Sequence, residues 1–286
     1  MYYGSIEAGG TKFVCGIGND ALDIVERVSF PTTTPSETMS LVFDYFDQYK
    51  DQLKAIGVGS FGPIDIKKES PTYGYITNTP KIPWQQYDFV GSLKERYQIP
   101  IAWTTDVNSS AYGELKKGAG KGLSSLVYYT IGTGVGGGAF SNGDFVGGFT
   151  HSEMGHVYVE RHPNDHYDGN CPFHGNCLEG MTAGPSIEDR YGIKGQDLAE
   201  DHEVWDFIAY YIAQAVYNTT LYFAPERIII GGGVMKQAHL LEKVYGYFDT
   251  LMKNYVTVPS LDHYVVTPGL GDDAGTVGCL GLARDL

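Results

Sequence analysis

The chain has 286 residues, a length that suggests two domains or one large one, and 42% of them are hydrophobic, which excludes a disordered chain. The net charge of −14 argues against nucleic acid and anionic membranes as main partners, because both attract basic surfaces. Four cysteines are too few for a disulfide scaffold, no apolar run approaches the ~20 residues of a membrane span, and the first residues lack a signal-peptide pattern, so we expect a cytoplasmic protein.

The first part of the chain predicts short strands that alternate with helices. Residues 2–7 and 13–17 predict two strands around a tight glycine turn at 8–12. The other predicted elements here are a helix over 36–50 with Ser36 as its N-cap, a strand over 53–60, a helix over 88–97, a strand over 99–104 and a helix over 108–118.

The second part begins with a similar arrangement. Residues 126–131 predict a strand, a glycine turn follows at 132–134, and 135–140 predict the next strand. This likeness suggests two halves built on one plan, although two hairpins can also resemble each other by chance. The later predicted elements are a helix over 203–223, strands over 227–230 and 264–266, and a terminal helix that Asp272 and Asp273 could cap. The alternation of strands and helices predicts an α/β fold.

Glycine turns follow three of the predicted strands, at 9–12, 132–138 and 231–233. The pattern G-x-G-x-x-G occurs at 57–62 and 132–137, but no helix follows as a dinucleotide site would need, and a P-loop motif is missing. A glycine turn exposes backbone N–H groups to phosphate, and Thr11 and Thr133 each add a hydroxyl at equivalent places. One such turn alone is commonly a plain turn, whereas two that face each other would form a phosphate clamp.

An irregular insert at 145–180 contains the most specific motif. Cys171, His174 and Cys177 form C-x₂-H-x₂-C, and His156 lies upstream. Two thiolates and two imidazoles make a tetrahedral zinc set, and four protein ligands leave no position for water, so we expect a structural zinc ion. The alternatives are an accidental cluster or competing ligands at His162 and His166, whereas a Cys171–Cys177 disulfide is disfavoured. Cys15 and Cys279 lie in apolar patterns that indicate core packing.

Three carboxylates are candidates for chemistry. Asp106 follows a strand and precedes a helix, a position that suits a general base at a strand's carboxyl end. The competing interpretation is that Asp106 only caps the following helix. Glu153 and Glu179 flank the zinc ligands and could accept hydrogen bonds from a sugar, or could be ordinary exposed acids.

These motifs together resemble the ROK family of sugar kinases and repressors. They run in family order over nearly the whole chain, and the forms at 7–12 and 171–177 are similar to the family's bacterial fructokinase branch. The segments that carry the resemblance are 8–12, 106–114, 130–134, 153–156, 171–179 and 230–234.

The resemblance implies an actin-like ATPase (ribonuclease H-like) α/β fold, with two α/β domains around a cleft. The first domain would comprise 1–118, with a C-terminal helix at about 272–286 that packs back on it. The second would comprise 119–271 and include the zinc-binding loop at 151–180. A homodimer is the assembly that the family implies.

The resemblance also implies site residues, matched motif by motif. Asp106 would be the catalytic base, and Glu153, His156 and Glu179 would bind the sugar. Zinc would be held by His156 together with Cys171, His174 and Cys177. ATP, accompanied by Mg²⁺, would contact residues of the glycine turns and their neighbours: Gly9, Gly10, Thr11, Lys12, Thr133, Gly134, Pro185, Gly231, Gly232, Gly233, Val234 and Met235.

The implied activity is ATP-dependent phosphorylation of a hexose, with D-fructose to fructose 6-phosphate favoured. Mannose, glucose or an N-acetylated hexose are alternative substrates, and a non-catalytic sugar sensor is an alternative function. Three positions depart from the common family pattern: Glu7 replaces Asp, Thr105 replaces a sugar-contacting Asn, and His174 replaces a cysteine. The acidic charge and the first strand at residue 2 argue against the DNA-binding repressor branch.

Overall fold

A computed structural model describes all residues of the chain, 1–286, which divide into two compact units. The first unit comprises Met1–Gly122, Phe145–His151 and Gly269–Leu286, and the second comprises Leu123–Asp144 and Ser152–Pro268. The division thus lies a few residues beyond 118. The segment 145–151, which the sequence analysis assigned to the second domain, is part of the first unit, where His151 Nε2 accepts a hydrogen bond of 3.2 Å from the backbone N–H of Ile64.

The secondary structure is a mixture of strands and helices, which confirms the α/β prediction. In chain order the strands are β1 (Tyr2–Ala8), β2 (Lys12–Gly18), β3 (Ile24–Pro31), β4 (Leu53–Ser60), β5 (Tyr75–Ile76), β6 (Tyr87–Asp88), β7 (Ile101–Thr105), β8 (Ser125–Ile131), β9 (Val135–Ser141), β10 (Asp144–Phe145), β11 (Ile228–Gly231) and β12 (Val265–Val266). The helices are α1 (Pro35–Asp47), α2 (Phe89–Tyr97), α3 (Asp106–Lys117), α4 (Leu178–Thr182), α5 (Gly184–Tyr191), α6 (Val204–Phe223), α7 (Leu240–Met252), α8 (Leu261–Tyr264) and α9 (Ala274–Arg284).

The first unit is built on a five-stranded sheet in the order β3-β2-β1-β4-β7. β1, β4 and β7 are parallel. β2 pairs antiparallel with β1, and β3 pairs antiparallel with β2. Helices α3 and α9 pack on each other, and α9 packs on β1 and β4. Gly278 allows this close packing, because a Cβ at that position would lie 1.7 Å from the carbonyl oxygen of Ser109.

The core of the first unit is rich in aromatic side chains. Phe13 on β2 lies 5.2 Å from Trp84 between ring centroids, and Phe89 lies 5.4 Å from Trp103. All four residues are buried. Aromatic pairs at these separations stabilise a fold beyond the area they bury, so this cluster holds the short segment around Trp84 against the glycine turn that precedes Phe13.

Glu114 on α3 fastens two distant parts of the chain in the first unit. Its buried carboxylate accepts hydrogen bonds from the backbone N–H groups of Ala119 at 2.6 Å, Gly269 at 3.0 Å and Leu270 at 2.9 Å. A buried carboxylate needs such partners, since an unpaired charge away from water is costly. The carboxylate therefore links two segments of the chain. One is at Ala119, shortly before the chain leaves the first unit, and the other is at Gly269 and Leu270, where the chain returns to it.

The second unit contains the sheet order β10-β9-β8-β11-β12. β8 pairs antiparallel with β9, and β8, β11 and β12 are parallel, so both large sheets attach an antiparallel hairpin to parallel strands. The 20-residue helix α6 packs on α7 and α4. None of the helices, α6 included, combines the length and the apolar character that crossing a membrane requires.

One predicted helix cap is wrong, and another lacks a capping hydrogen bond. Thr34, not Ser36, caps α1, because its Oγ1 accepts the N–H of Glu37 while proline occupies the first helical position. Asp273 precedes α9 but makes no capping hydrogen bond, and its carboxylate pairs with Arg27 instead. The edge strand β3 and the helix α7 were not predicted from the sequence.

Candidate functional site

Asp106 lies at the junction between β7 and α3. The preceding residue, Thr105, is the N-cap of α3, because its Oγ1 accepts a hydrogen bond of 3.2 Å from the N–H of Asn108. The interpretation of Asp106 as the cap is therefore wrong, since Asp106 is the first residue of the helix itself. Its Oδ1 accepts the N–H of Val107 at 2.9 Å, and the side chain is partly exposed.

The glycine turn between β1 and β2 lies at the same edge of the sheet as Asp106. The register pairs Ala8 with Ser60 and Ser60 with Thr105, so the carboxyl ends of three parallel strands meet there. Within the turn, Gly9 N–H donates to the carbonyl of Lys12 at 3.1 Å, and Thr32 Oγ1 donates to the carbonyl of Gly9 at 2.7 Å. Ligands of α/β proteins bind at such an edge.

Glu7, the last carboxylate before the turn, is held in an environment that favours its neutral form. Burial raises its pKa from the usual range to about 7, and the nearby charges of Asp106 and Asp273 act in the same direction. A hydrogen bond from the Thr276 hydroxyl and the charge of Arg27 lower the pKa, but their effect is smaller. At neutral pH a substantial fraction of Glu7 is therefore protonated.

We expect Glu7→Gln to remove a part of the pH dependence of stability. Because the folded-state pKa is above the unfolded value of 4.5, Glu7 contributes stability that is complete below pH 4.5 and is lost as the pH rises through 7. The difference in free energy of unfolding between wild type and Glu7→Gln should change by about 3 kcal/mol between pH 4.5 and 8. Relative to Glu7→Gln, the wild type should be less stable at high pH than at low pH. Urea titrations at several pH values measure it. Glu95→Gln, on the exposed side of α2, is the matched control. If the stabilities of wild type and Glu7→Gln changed with pH in parallel, the raised pKa of Glu7 would be contradicted.

A cavity of about 620 Å³ in the second unit collects several of the predicted nucleotide residues. It is bounded by the turn after β8, the start of α5 and the turn after β11, which meet where Gly184 N–H donates to the carbonyl of Gly132 at 2.7 Å. Among the predicted residues, Thr133, Pro185, Gly233 and Val234 line it. Gly132, which begins the glycine turn predicted at 132–138, also lines it, and the lining residues that were not predicted are Gly184, Ile187, Glu188, Lys194, Gly195, Gln196, Trp205, Lys236 and Gln237.

Four other predicted nucleotide residues of the second unit do not line this cavity. Gly134 lies against the carboxylate of Glu179, and Gly231 lies against Tyr128 and Pro268. Gly232 packs on the backbone of Ile131, and Met235 is buried. These residues shape the turns, while Gly9, Gly10, Thr11 and Lys12 belong to the turn of the first unit.

The four predicted zinc ligands come together in the second unit. The ligand atoms of His156, Cys171, His174 and Cys177 all lie within 4.8 Å of one another. The Nδ1 atom of His156 is 3.8 Å from the sulfur of Cys171 and 3.6 Å from that of Cys177, and His174 Nδ1 is 3.7 Å from the Cys171 sulfur. All four cysteines of the chain are free thiols.

These separations fit a tetrahedral zinc ion. Zinc bonded to sulfur at about 2.3 Å and to nitrogen at about 2.0–2.1 Å would hold the two atoms about 3.6 Å apart. The competing ligands lie elsewhere: His162 packs against Phe207 with ring centroids 4.9 Å apart and ring planes tilted by 44°, and His166 is exposed. The donor set is therefore suited to a structural zinc ion.

The two acids that flank the zinc ligands have different surroundings. Glu179 lies in the first turn of α4, two residues after Cys177, and its Oε2 accepts the N–H of Val135 at 2.9 Å. It thus reaches the glycine turn after β8. Glu153 is exposed and precedes the short helical turn Met154–His156, whose last residue is a zinc ligand candidate. The cluster consequently lies next to both acids along the chain.

Known proteins are similar to this chain over nearly its whole length. The chain is 51% identical to a fructokinase of Streptococcus mutans and 50% identical to a fructokinase of Lactococcus lactis, and each alignment covers at least 98% of both proteins. The crystal structure of a ROK hexokinase from Thermus thermophilus superposes with a TM-score of 0.80 at 22% identity, covering 99% of this chain and 98% of that one. The model of the ROK family matches residues 3–286, so the glycine turns, the Asp106 strand end and the Cys/His cluster all lie within a chain that belongs to the ROK family.

Proposed function

We propose that this protein is an ATP-dependent fructokinase, which transfers the γ-phosphoryl group of ATP to O6 of D-fructose. The observation that carries the proposal is the sequence identity of 51% and 50% with two fructokinases over nearly the full length of the chain. The candidate general base, the glycine turns and the cavity of the second unit supply the groups that such a reaction needs.

Asp106 is the general base in this proposal. The O6 hydroxyl gives its proton to the Asp106 carboxylate while the oxygen forms a bond to the γ-phosphorus. The bond between that phosphorus and the bridging oxygen breaks, and ADP leaves with the electron pair. Phosphoryl transfer passes through a loose transition state, so positioning and charge neutralisation supply most of the rate enhancement.

Two groups of residues are assigned to the parts of ATP. The cavity next to Thr133, Pro185 and Gly233 has the volume of a small-molecule site and suits the adenosine part. The turn at 9–12 offers backbone N–H groups and the exposed Lys12 to phosphate oxygens. Mg²⁺, when bound with ATP, neutralises charge on those oxygens. Glu7 is hydrogen-bonded to Thr276 and partly protonated, so we assign it no direct contact with the metal.

Glu153, His156 and Glu179 form the proposed sugar site. Carboxylates and an imidazole can hydrogen-bond the hydroxyl groups of fructose, and binding of this kind discriminates strongly between sugars. Zinc, held by His156, Cys171, His174 and Cys177, orders the segment that contains these residues and takes no part in bond formation. Thr105 is occupied as the cap of α3, which leaves it no evident role in sugar recognition.

The compartment and the assembly follow from the same proposal. Thiol ligands and free buried cysteines suit a reducing compartment, so we assign the enzyme to the cytoplasm. We propose a homodimer as the assembly, as the family resemblance implies, and light scattering after size-exclusion chromatography measures it.

A sugar panel tests the proposed function. We expect ADP release with D-fructose at a kcat/KM about tenfold or more above that with mannose, glucose or N-acetylated hexoses, because the proposed site recognises the hydroxyl groups of the sugar by hydrogen bonds. A coupled ADP assay with each sugar measures it. A preference for another hexose would overturn the assignment of fructose, and sugar binding without ADP release would favour a sugar sensor.

A further inference from the structure

A second lysine lies over the glycine turn of the first unit. A methyl group at Gly10 would lie only 2.7 Å from Cε of Lys81 and 3.6 Å from its Nζ. The ammonium group of Lys81 therefore lies beside the backbone of the turn, although 69 or more residues separate Lys81 from it in sequence. Glycine at position 10 leaves the space that this side chain occupies.

The backbone of Lys81 is anchored on both sides. Its N–H donates to the hydroxyl of the buried Thr79 at 3.3 Å, and its carbonyl accepts the N–H of Trp84 at 2.8 Å. The Trp84 ring packs on Phe13, and its Nε1–H donates to the carbonyl of Thr33 at 2.8 Å. Since Phe13 directly follows the turn, the same aromatic cluster fixes both the turn and the segment that presents Lys81.

The charge of Lys81 has no acidic partner in the folded chain. Asp and Glu outnumber Lys and Arg by 34 to 20, yet Lys81 takes part in none of the ion pairs of the structure. The side chain is partly buried, so its position over Gly10 is not that of a solvated surface lysine. A cation without a counter-charge, next to the backbone of a glycine turn, is arranged for an anion.

We propose that Lys81 binds the terminal phosphate of ATP and neutralises charge on the transferred phosphoryl group. This inference rests on the proposed kinase function and adds a phosphate-binding residue from outside the glycine turns. Lys81 also explains how a chain of net charge −14 can bind a polyanion, because Lys12 and Lys81 together place two positive charges at one turn.

The test compares nucleotides that differ in phosphate number. Calorimetry would measure binding of AMP, ADP and the ATP analogue AMPPNP, each with Mg²⁺, to wild type, Lys81→Met and Lys81→Arg. Lys68→Met, at an exposed lysine of the same unit, is the matched control. We expect Lys81→Met to weaken AMPPNP binding about tenfold, ADP binding less and AMP binding hardly at all, and to lower kcat about 100-fold. Lys81→Arg should retain most of both.

Two results would overturn the assignment of Lys81 itself. An equal loss for all three nucleotides would show a merely structural role, and unchanged AMPPNP binding with an unchanged kcat would show no phosphate contact. Circular dichroism and thermal melts establish that each variant is folded. A wild type that binds AMPPNP through Lys81 but does not phosphorylate fructose would overturn the choice of sugar and leave Lys81 assigned, whereas a wild type that binds no AMPPNP would overturn both.

Discussion

Asp106→Asn should lower kcat for fructose phosphorylation by about 10²–10⁴-fold while the KM for fructose and the Kd for ADP change little. The amide is nearly the same size as the carboxylate and can still accept the N–H of Val107, but it cannot take the proton of the attacking hydroxyl. The start of α3 should persist, because Thr105 provides the cap. Steady-state kinetics at saturating Mg·ATP measure the effect.

The control for this experiment is Asp44→Asn, which removes an exposed acid on α1. It should leave kcat unchanged. A turnover of Asp106→Asn close to that of wild type would exclude Asp106 as the base. A large loss of thermal stability in Asp106→Asn would instead indicate that the residue is needed for folding, so melts accompany the kinetics.

Loss of the zinc cluster should have the next largest effect. Cys177→Ser removes a fully buried ligand that directly precedes α4, the helix that contains Glu179. Because a structural zinc site contributes its binding energy to folding, we expect zinc to fall from about one ion per chain to nearly none and the melting temperature to fall with it. The KM for fructose should rise about tenfold as Glu179 and His156 lose their fixed positions. Elemental analysis, melts and kinetics measure the three effects.

Three further variants make the zinc experiment specific. His174→Cys replaces one zinc ligand by another and should retain the metal, whereas His174→Ala should release it. His166→Ala, at an exposed histidine outside the cluster, should change nothing. Full activity of the chelated, zinc-free protein would contradict the role in ordering the sugar site.

Local spacing explains what the sequence could predict. The ligands Cys171, His174 and Cys177 lie within one short turn, so their proximity follows from the chain itself, and only His156 required a longer connection. The glycine turns end predicted strands, and the carboxyl ends of parallel strands share one edge of a sheet, which brings Asp106 and the turn at 9–12 to the same edge.

Tertiary packing explains what it could not. Lys81 reaches Gly10 because Trp84 packs into an aromatic cluster next to Phe13. No local sequence pattern predicts that contact. The cavity residues at 187–196 and Lys236 likewise meet through the turns after β8 and β11. The caps at Thr34 and Thr105 were missed because serine or aspartate one or two residues later satisfies the same pattern.

The most direct test of the kinase proposal is to identify the product. Purified protein with D-fructose and Mg·ATP, coupled through phosphoglucose isomerase and glucose 6-phosphate dehydrogenase, reports fructose 6-phosphate as NADPH, and a parallel assay reports ADP. We predict equal amounts of NADPH and ADP from the wild type, and formation of both about 10²–10⁴-fold slower from Asp106→Asn. ADP without NADPH would contradict transfer to O6, and the absence of both from the wild type would contradict the fructokinase assignment.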